Sequence, residues 1–456
     1  MESKQQNNNA LSDKSAIHRL ESLCKNPLVW VMLIALIFRA FIDPMGFLDP
    51  KRSGKPHLES PDVPSYLKDA NLKELLFSGE VNIERTPAYL IFTGLHRQLF
   101  GEDAMFGWIV FSQRMLSLIS VFFFYRIGEY FLKSRICVVL ATLLYVVAVS
   151  ALLFNNWILT ESLAVSFAVC WFFCLMAYVQ KPTRLKAFLS GLGVFLLIML
   201  RPAFMGLLLL IFVFWGMRLL FQREHFKKDL IGLLYAVLSL VLIFGYCHQF
   251  YKKTGIFSVT VLGVSNQFIC MIQSELFQKD DSPISRRMQT ALTEYKKIFP
   301  EKANDLRLLT RPRVWTYPDD PINFITEKVR QDGLMPPMNE RRIYTQRMIR
   351  TYPYDYAKFI AGKFLQEKKL FPIYVFILTE LFLIFALWKQ SRRIPILHWI
   401  FWLMIAGLLF TAVAGAQDEY FRLSLPVVPF VILIPFQCLD VWMNFLKLNS
   451  NQRPTD

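Results

Sequence analysis

The chain contains no Cys-x-x-Cys pair, although it carries seven cysteines, Cys24, Cys137, Cys170, Cys174, Cys247, Cys270 and Cys438. Most of them fall inside apolar blocks. Cys170 and Cys174 lie one helical turn apart around Trp171, Phe172 and Phe173, so they read as small apolar packing residues. A disulfide framework and a paired-cysteine zinc site are both excluded on spacing. The six histidines are scattered, and no metal site is read from them. There is no internal repeat and no extended low-complexity tract. Related halves and polar residues near the bilayer midplane would mark a transport path, and apart from Gln113 and Arg114 little of that polarity is present.

Apolar residues, by contrast, are abundant. They make up 54% of the 456 residues, and 42 are phenylalanine. An average soluble chain has about 45–50% apolar residues. The excess is gathered into blocks of roughly 17–22 residues, the length that spans a hydrocarbon core of about 30 Å. Ten such spans are expected, at about 28–42, 105–125, 136–153, 157–179, 187–200, 203–221, 230–250, 371–388, 395–414 and 423–444. The fold class is therefore an all-α polytopic membrane protein. The first block follows a basic region, but no small-x-small cleavage site comes after it and Arg39 interrupts its end, so it is expected to be a retained helix.

The formal net charge is +16. On a soluble protein that would point to nucleic acid, but here much of the basic charge sits in short loops between apolar blocks, as the positive-inside rule expects, and the long segment 251–370, basic too, is exempt from that rule. One set of loops carries Lys133 and Arg135; Lys181, Arg184 and Lys186; Arg218, Arg223, Lys227 and Lys228; and Lys389, Arg392 and Arg393. The alternate connections, at 154–156, Arg201-Pro202 and 415–422, are almost bare. Ten spans then put both termini (1–27 and 446–456) and the basic loops in the cytoplasm. Two long segments, 43–104 and 251–370, fall outside, with the bundle at 28–250 and the last helices at 371–445. The first outer segment holds two short amphipathic stretches, 64–76 and 89–100, of the kind that lie in the interface plane. The second is proline-rich and charged, and reads as a small irregular domain of several short helices.

This topology gathers a few charged residues on the outer face or just beneath it: Asp62, Glu161, Arg201, Asp418, Glu419 and Arg422. A charge near the bilayer centre costs about 2.5–3.5 kcal/mol on insertion scales, so an intramembrane ionisable residue is a functional candidate by default. Each also has a plainer reading. Glu161 would hold helices together through an arginine, Arg201 and Arg422 would snorkel to the headgroups, and Asp62 would be an ordinary loop aspartate. Gln113 and Arg114 would line the bundle interior.

An ordered series of motifs resembles the integral-membrane glycosyltransferases of the C superfamily (GT-C), which include protein O-mannosyltransferases and aminoarabinose transferases. Ser60-Pro61-Asp62-Val63-Pro64-Ser65-Tyr66, then Ala70, is similar to the family's Asp-Ser-x-x-Tyr-x-x-x-Ala. Arg85-Thr86-Pro87-Ala88-Tyr89 resembles Arg-x-Pro-Gly-Tyr, with Ala88 in place of glycine. Thr160-Glu161-Ser162, Leu200-Arg201-Pro202, and Glu419-Tyr420-Phe421-Arg422 with Pro426 and Pro429 match further stretches. The acidic pair frequent in the family's first loop is here a single Asp62, with Glu59, Asp43 and Asp49 upstream, and the family often has eleven to thirteen spans.

The resemblance implies transfer of a sugar from a polyprenyl-phosphate carrier to a glycolipid, glycan or protein acceptor on the outer face of a cell membrane, with inversion. It implies Asp62 as the catalytic base, Arg85, Arg201 and Arg422 as phosphate ligands, and Glu161, Glu419 and Tyr66 as substrate-binding residues. No resident cofactor follows from it, since relatives differ in their need for a divalent metal. A surface-polysaccharide polymerase or ligase and a lipid or solute transporter stay open as alternatives.

Overall fold

The computed structural model describes residues 26–41, 62–67, 82, 84–221, 223–300, 321–366, 378, 381, 396–415 and 425–450. Among them the regular structure is helical throughout. The helices are α1 (Pro27–Leu36, continuing as a wider π-type turn Ile37–Phe41), α2 (Val63–Leu67), α3 (Pro87–Phe131), α4 (Arg135–Val146), α5 (Val149–Phe154), α6 (Thr160–Gln180), α7 (Arg184–Leu200), α8 (Met205–Phe221) and α9 (Phe226–Thr254). A further group follows, referred to as the outer helices after the expected topology, α10 (Leu262–Gln273), α11 (Pro283–Ile298), α12 (Pro321–Gln331), α13 (Met338–Thr351) and α14 (Pro353–Gln366), and then α15 (Ile396–Gly415) and α16 (Val428–Ser450).

Among the described residues five stretches are long and apolar enough to cross a membrane: Pro87–Phe131, Thr160–Gln180, Pro202–Phe221, Phe226–Thr254 and Leu425–Met443. Shorter apolar helices cover Pro27–Arg39, Arg135–Val146 and His398–Leu409. These features mark an integral multi-pass membrane protein. Of the ten expected spans, the one at 371–388 lies almost wholly outside the described residues. The expected span at 136–153 is broken into α4 and the short α5. The chain leaves helical geometry at Ala148 (φ −59°, ψ 100°), just after the β-branched pair Val146-Val147, whose side chains crowd a preceding turn.

α3 is two helices joined at a kink, divided where the expected layout divides them. An amphipathic helix was expected to end at Gly101, with a separate span starting near 105. The structure runs helical residues on both sides of Gly101, which alone is non-helical within α3 (φ 75°, ψ 172°), a backbone region essentially open to glycine only. A straight helix would hold Tyr89 and Gln113 about 36 Å apart. Instead the Tyr89 hydroxyl donates to Gln113 Oε1 at 3.0 Å, His96 Nε2 meets Ser112 Oγ at 2.8 Å, and Phe100 stacks on Trp108 with centroids 4.3 Å apart. Residues 87–100 therefore fold back against residues 102–131.

Neighbouring spans approach closely where glycine permits. A Cβ on Gly232 of α9 would lie 2.4 Å from the Trp215 ring of α8, and one on Gly191 of α7 would lie 2.6 Å from Tyr235 Cβ of α9. Close backbone approach at small residues is how lipid-embedded helices gain dispersion contacts. Gly191→Ala forces α7 and α9 apart and should destabilise by about 1–3 kcal/mol, as overpacking does; a detergent thermal-unfolding midpoint equal to wild type would contradict this packing.

The outer helices form their own core, with Phe268, Met271, Phe277, Met288, Ile325 and Met348 at its centre, separate from the bundle core. α11 starts well: Ser282 accepts from Ser285 N and Pro283 occupies its first turn, the preferred N-terminal chemistry. Asp280 Oδ2 accepts from Ser282 Oγ and Ser285 Oγ, each at 2.5 Å, and pairs with Arg347 at 2.9 Å. Burial alone would raise this carboxyl, but the two hydroxyl donors and Arg347 outweigh it and hold it below the ordinary aspartate value. A depressed carboxyl contributes stability above its unfolded value, near pH 4, and loses it as pH falls through the folded value. Acid should thus loosen the outer helices in wild type, and Asp280→Asn should weaken that dependence below pH 4. Intrinsic fluorescence followed through an acid titration would reveal it; superimposable curves would rule it out.

Candidate active site

Glu161 is in the first turn of α6, and Arg201 directly follows the last residue of α7. The two helices are antiparallel neighbours, so these residues meet at one end of the bundle. The short loop with Lys181, Arg184 and Lys186 lies at the other end, about 30 Å away along α6. Arg201 Nη2 reaches Glu161 Oε1 at 3.3 Å; the glutamate is fully buried and the arginine is 7% exposed. Arg201 Nη1 is buried with no hydrogen-bond partner, so half of the guanidinium fork is unused. Thr160 Oγ1 donates to Glu161 Oε2 at 3.4 Å.

Thr86 Oγ1 donates to the Leu200 carbonyl at 3.1 Å, which joins the start of α3, one residue after Arg85, to the end of α7, one residue before Arg201. Arg85 is itself heavily engaged. Its Nη2 bonds Asp62 Oδ1 at 2.5 Å, its Nε bonds Ser65 Oγ at 2.7 Å and its Nη1 bonds the Tyr66 hydroxyl at 3.3 Å. The guanidinium carbon stands 4.5 Å from the Tyr66 ring centre, in cation–π range. The little helix α2 is tied down in turn: Thr93 Oγ1 donates to the Tyr66 carbonyl at 3.2 Å, and Tyr66 packs edge-on to Tyr89 at 4.9 Å. Asp62, Tyr66, Arg85, Glu161 and Arg201 thus occupy one neighbourhood. Glu419 and Arg422, with Asp418, fall outside the described residues, as do Glu59, Asp43 and Asp49.

Gln113 and Arg114 have definite tasks beyond lining the interior. Gln113 is fully buried. Its amide donates to the Asn155 and Trp157 carbonyls at 3.1 and 2.9 Å, and its oxygen accepts from Tyr89. Arg114 grips Asn156 Oδ1 through Nε and Nη2 at 2.9 and 2.7 Å. Together they fix the turn that leads into α6 and so set where Glu161 stands. Ser162 Oγ donates to Asn155 Oδ1 at 2.6 Å, and Asn155 Nδ2 donates to Ser117 Oγ at 3.2 Å.

A second buried pair was not read from the sequence. Arg218 was grouped with the loop cations, but it is buried on α8, where its Nε pairs with Asp229 Oδ1 at 2.9 Å and Tyr178 donates to the same oxygen at 2.6 Å. This pair lies near the ends of α6 and α8 and the start of α9, at the basic end of the bundle, away from Glu161. Arg218 therefore contributes little to the loop charge. The signal available was its position within an apolar run, four residues before Gln222.

The outer helices reach the site end through their root. Thr260 Oγ1 donates to the Glu84 carbonyl, next to Arg85, at 2.6 Å. Among the described residues no three His, Cys, Asp or Glu side chains come together to hold a metal ion.

No family model matches the chain, and no curated protein matches it. Among solved structures it is similar to the archaeal oligosaccharyltransferase AglB from Archaeoglobus fulgidus, in a complex with an inhibitory peptide and a dolichol-phosphate. The TM-score is 0.47 at 13% identity, with 93% of this chain and 51% of AglB covered. The chain thus spans about half the length of that protein.

Proposed function

We propose that the protein is a membrane glycosyltransferase that moves a sugar from a polyprenyl-phosphate carrier to an acceptor hydroxyl, with inversion at the anomeric carbon. The observation that carries this reading is the pairing of one partly exposed carboxylate, Asp62, with Arg85 at the end of the apolar bundle where the Thr86–Leu200 bond brings in the chain next to Arg201. That set matches what the reaction asks for. A carboxylate takes the acceptor proton, cations stabilise charge developing on the leaving phosphate, and apolar helices beside the site suit an isoprenoid tail.

In the proposed step, the acceptor oxygen bonds to the anomeric carbon as its proton passes to Asp62. The carbon–oxygen bond to the phosphate breaks, and its electron pair leaves on the phosphate oxygen. A phosphate leaving group needs no proton, so a single carboxylate suffices, whereas inverting glycosidases need two. Arg201 offers its unused Nη1 to the phosphate. Arg85 holds Asp62 until substrate arrives and then shares its donors between the carboxylate and the phosphate. Glu161 holds Arg201 or a sugar hydroxyl. By the charge asymmetry of the loops, this end faces outward.

A transport path is less favoured, because Gln113 is sealed in hydrogen bonds rather than facing a passage. Incubating the purified protein with a panel of polyprenyl-phosphate sugars, and following carrier consumption by mass spectrometry, tests the reading. Consumption of one carrier supports it; none consumed alongside a positive transport assay refutes it.

A further inference from the structure

The π-type turn after α1 carries Arg39, which is 1% exposed. Its contacts are few. Nη1 donates to Ser117 Oγ, Nη2 donates to the Tyr145 carbonyl at 2.5 Å, and the guanidinium carbon lies 4.6 Å from the Tyr145 ring centre. Nε is buried with no hydrogen-bond partner. Among the described residues no carboxylate pairs with it, in contrast to Arg85, Arg201 and Arg218.

Its depth follows from its partner. Ser117 is 14 residues from Asp103 and 9 from Arg126, so it lies roughly 21 and 14 Å from them along α3, and the charged residue between, Arg114, is held by Asn156. Among the described residues Arg39 is therefore a buried cation with no carboxylate partner, deep in the apolar stretch of α3, where an unpaired charge is costly and is a functional candidate by default. It also lies close to the candidate site. Ser117 is four residues, one turn, from Gln113, and Ser117 accepts from Asn155, which in turn accepts from Ser162 beside Glu161.

One plain role is visible. At the break between α4 and α5 the Tyr145 carbonyl accepts a long bond from Ala148 N, at 3.3 Å, and Arg39 supplies it a second, shorter donor. A neutral donor would do the same, so that role leaves the charge unexplained. The other ionised pairs at the site, Asp62 with Arg85 and Glu161 with Arg201, each sum to zero. Among the described residues Arg39 adds to these a positive charge with no carboxylate beside it.

We propose that Arg39 is a positioning residue whose uncompensated charge makes this end of the bundle select a phosphate-bearing lipid over its neutral counterpart, acting through space and through the Ser117–Asn155 link rather than by contact. This rests on the carrier reading above and assigns it a residue. At a separation on the order of 10 Å and an effective dielectric near 20, a unit charge changes binding of a phosphate by about tenfold or somewhat more.

The experiment compares undecaprenyl phosphate with undecaprenol, which share a tail and differ by the phosphate, on the full chain in nanodiscs. Arg39→Gln keeps donors toward Ser117 and Tyr145 but removes the charge; Arg39→Met removes both; Arg39→Lys keeps the charge. The phosphate-over-alcohol preference should fall about tenfold in the Gln and Met variants with alcohol binding unchanged, and stay within about threefold of wild type in the Lys variant. Removing an uncompensated buried charge should leave the ligand-free melting temperature of Arg39→Gln equal or higher. A preserved preference in Arg39→Gln, parallel loss of both ligands, or failure of the neutral variants to fold would each overturn the proposal. Phosphate selectivity that depends on Arg39 without any sugar transfer would sink the transferase reading alone; transfer without that dependence would sink this one alone.

Discussion

Asp62→Asn should lower sugar transfer by about 10²–10⁴-fold, the usual contribution of a general base, with little change in carrier binding. The asparagine keeps the size of the side chain and can still accept from Arg85 through its oxygen, so α2 and its ties to Tyr66 and Thr93 should persist. What it loses is the ability to take the acceptor proton. Single-turnover transfer in membranes would show the loss as a fall in rate constant with an unchanged carrier KM. Turnover like wild type would remove Asp62 from the mechanism. Arg85 complicates the reverse experiment: it binds Asp62, Ser65 and Tyr66 together, so its replacement disturbs both the carboxylate and any phosphate contact. A drop in Arg85→Ala would therefore not distinguish the two roles, whereas Asp62→Asn does.

The second large effect concerns Glu161 and Arg201. Breaking a buried ion pair by removing one partner costs about 3–5 kcal/mol, because the other charge is stranded. Glu161→Ala should thus destabilise the bundle by about that amount, and Arg201→Ala by a similar one. If the pair serves only to join α6 and α7, replacing both with well-packed neutral residues, as in Glu161→Gln with Arg201→Met, should restore stability and activity together. On the transferase reading stability returns and transfer does not, because Arg201 Nη1 is the donor left for phosphate. Thermal unfolding and transfer measured on the same three variants decide between these outcomes. Recovery of transfer in the double variant would make the pair purely structural.

Much of this arrangement was legible in the chain because the bilayer imposes simple rules. Block length, loop charge and the bare connections placed Glu161 and Arg201 at one end, and the structure joins them across two helices. Asp62, Tyr66 and Arg85 were legible as short motifs, and their mutual bonding adds what motifs do not carry, namely that Arg85 is held by the carboxylate it was grouped with. Gln113 and Arg114 stood out as polar residues in an apolar span, but their purpose depends on a turn 42 residues away, which local patterning does not encode. Asp229 directly follows Lys227 and Lys228, just before the expected span at 230–250, and nothing in that pattern marks it. Only packing shows that it faces Arg218 and Tyr178. Arg39 was visible as an interruption of the first span, yet whether such a residue snorkels, pairs or stays alone depends on contacts with α3 and α4.

The fold-back at Gly101 settles a matter of parity. Extended, the 45 residues of α3 would measure about 67 Å, roughly twice the thickness of a hydrocarbon core. Because the chain doubles back, residues 87–100 descend from no opposite surface and add no crossing. Only the limb from 102 to 131 counts. Each later helix pair then returns the chain to the side it left, so the root of the outer helices emerges level with Glu84 and not on the far surface. A glycine of one unusual backbone angle thereby helps keep Glu84 and the root of those helices at the same end of the bundle.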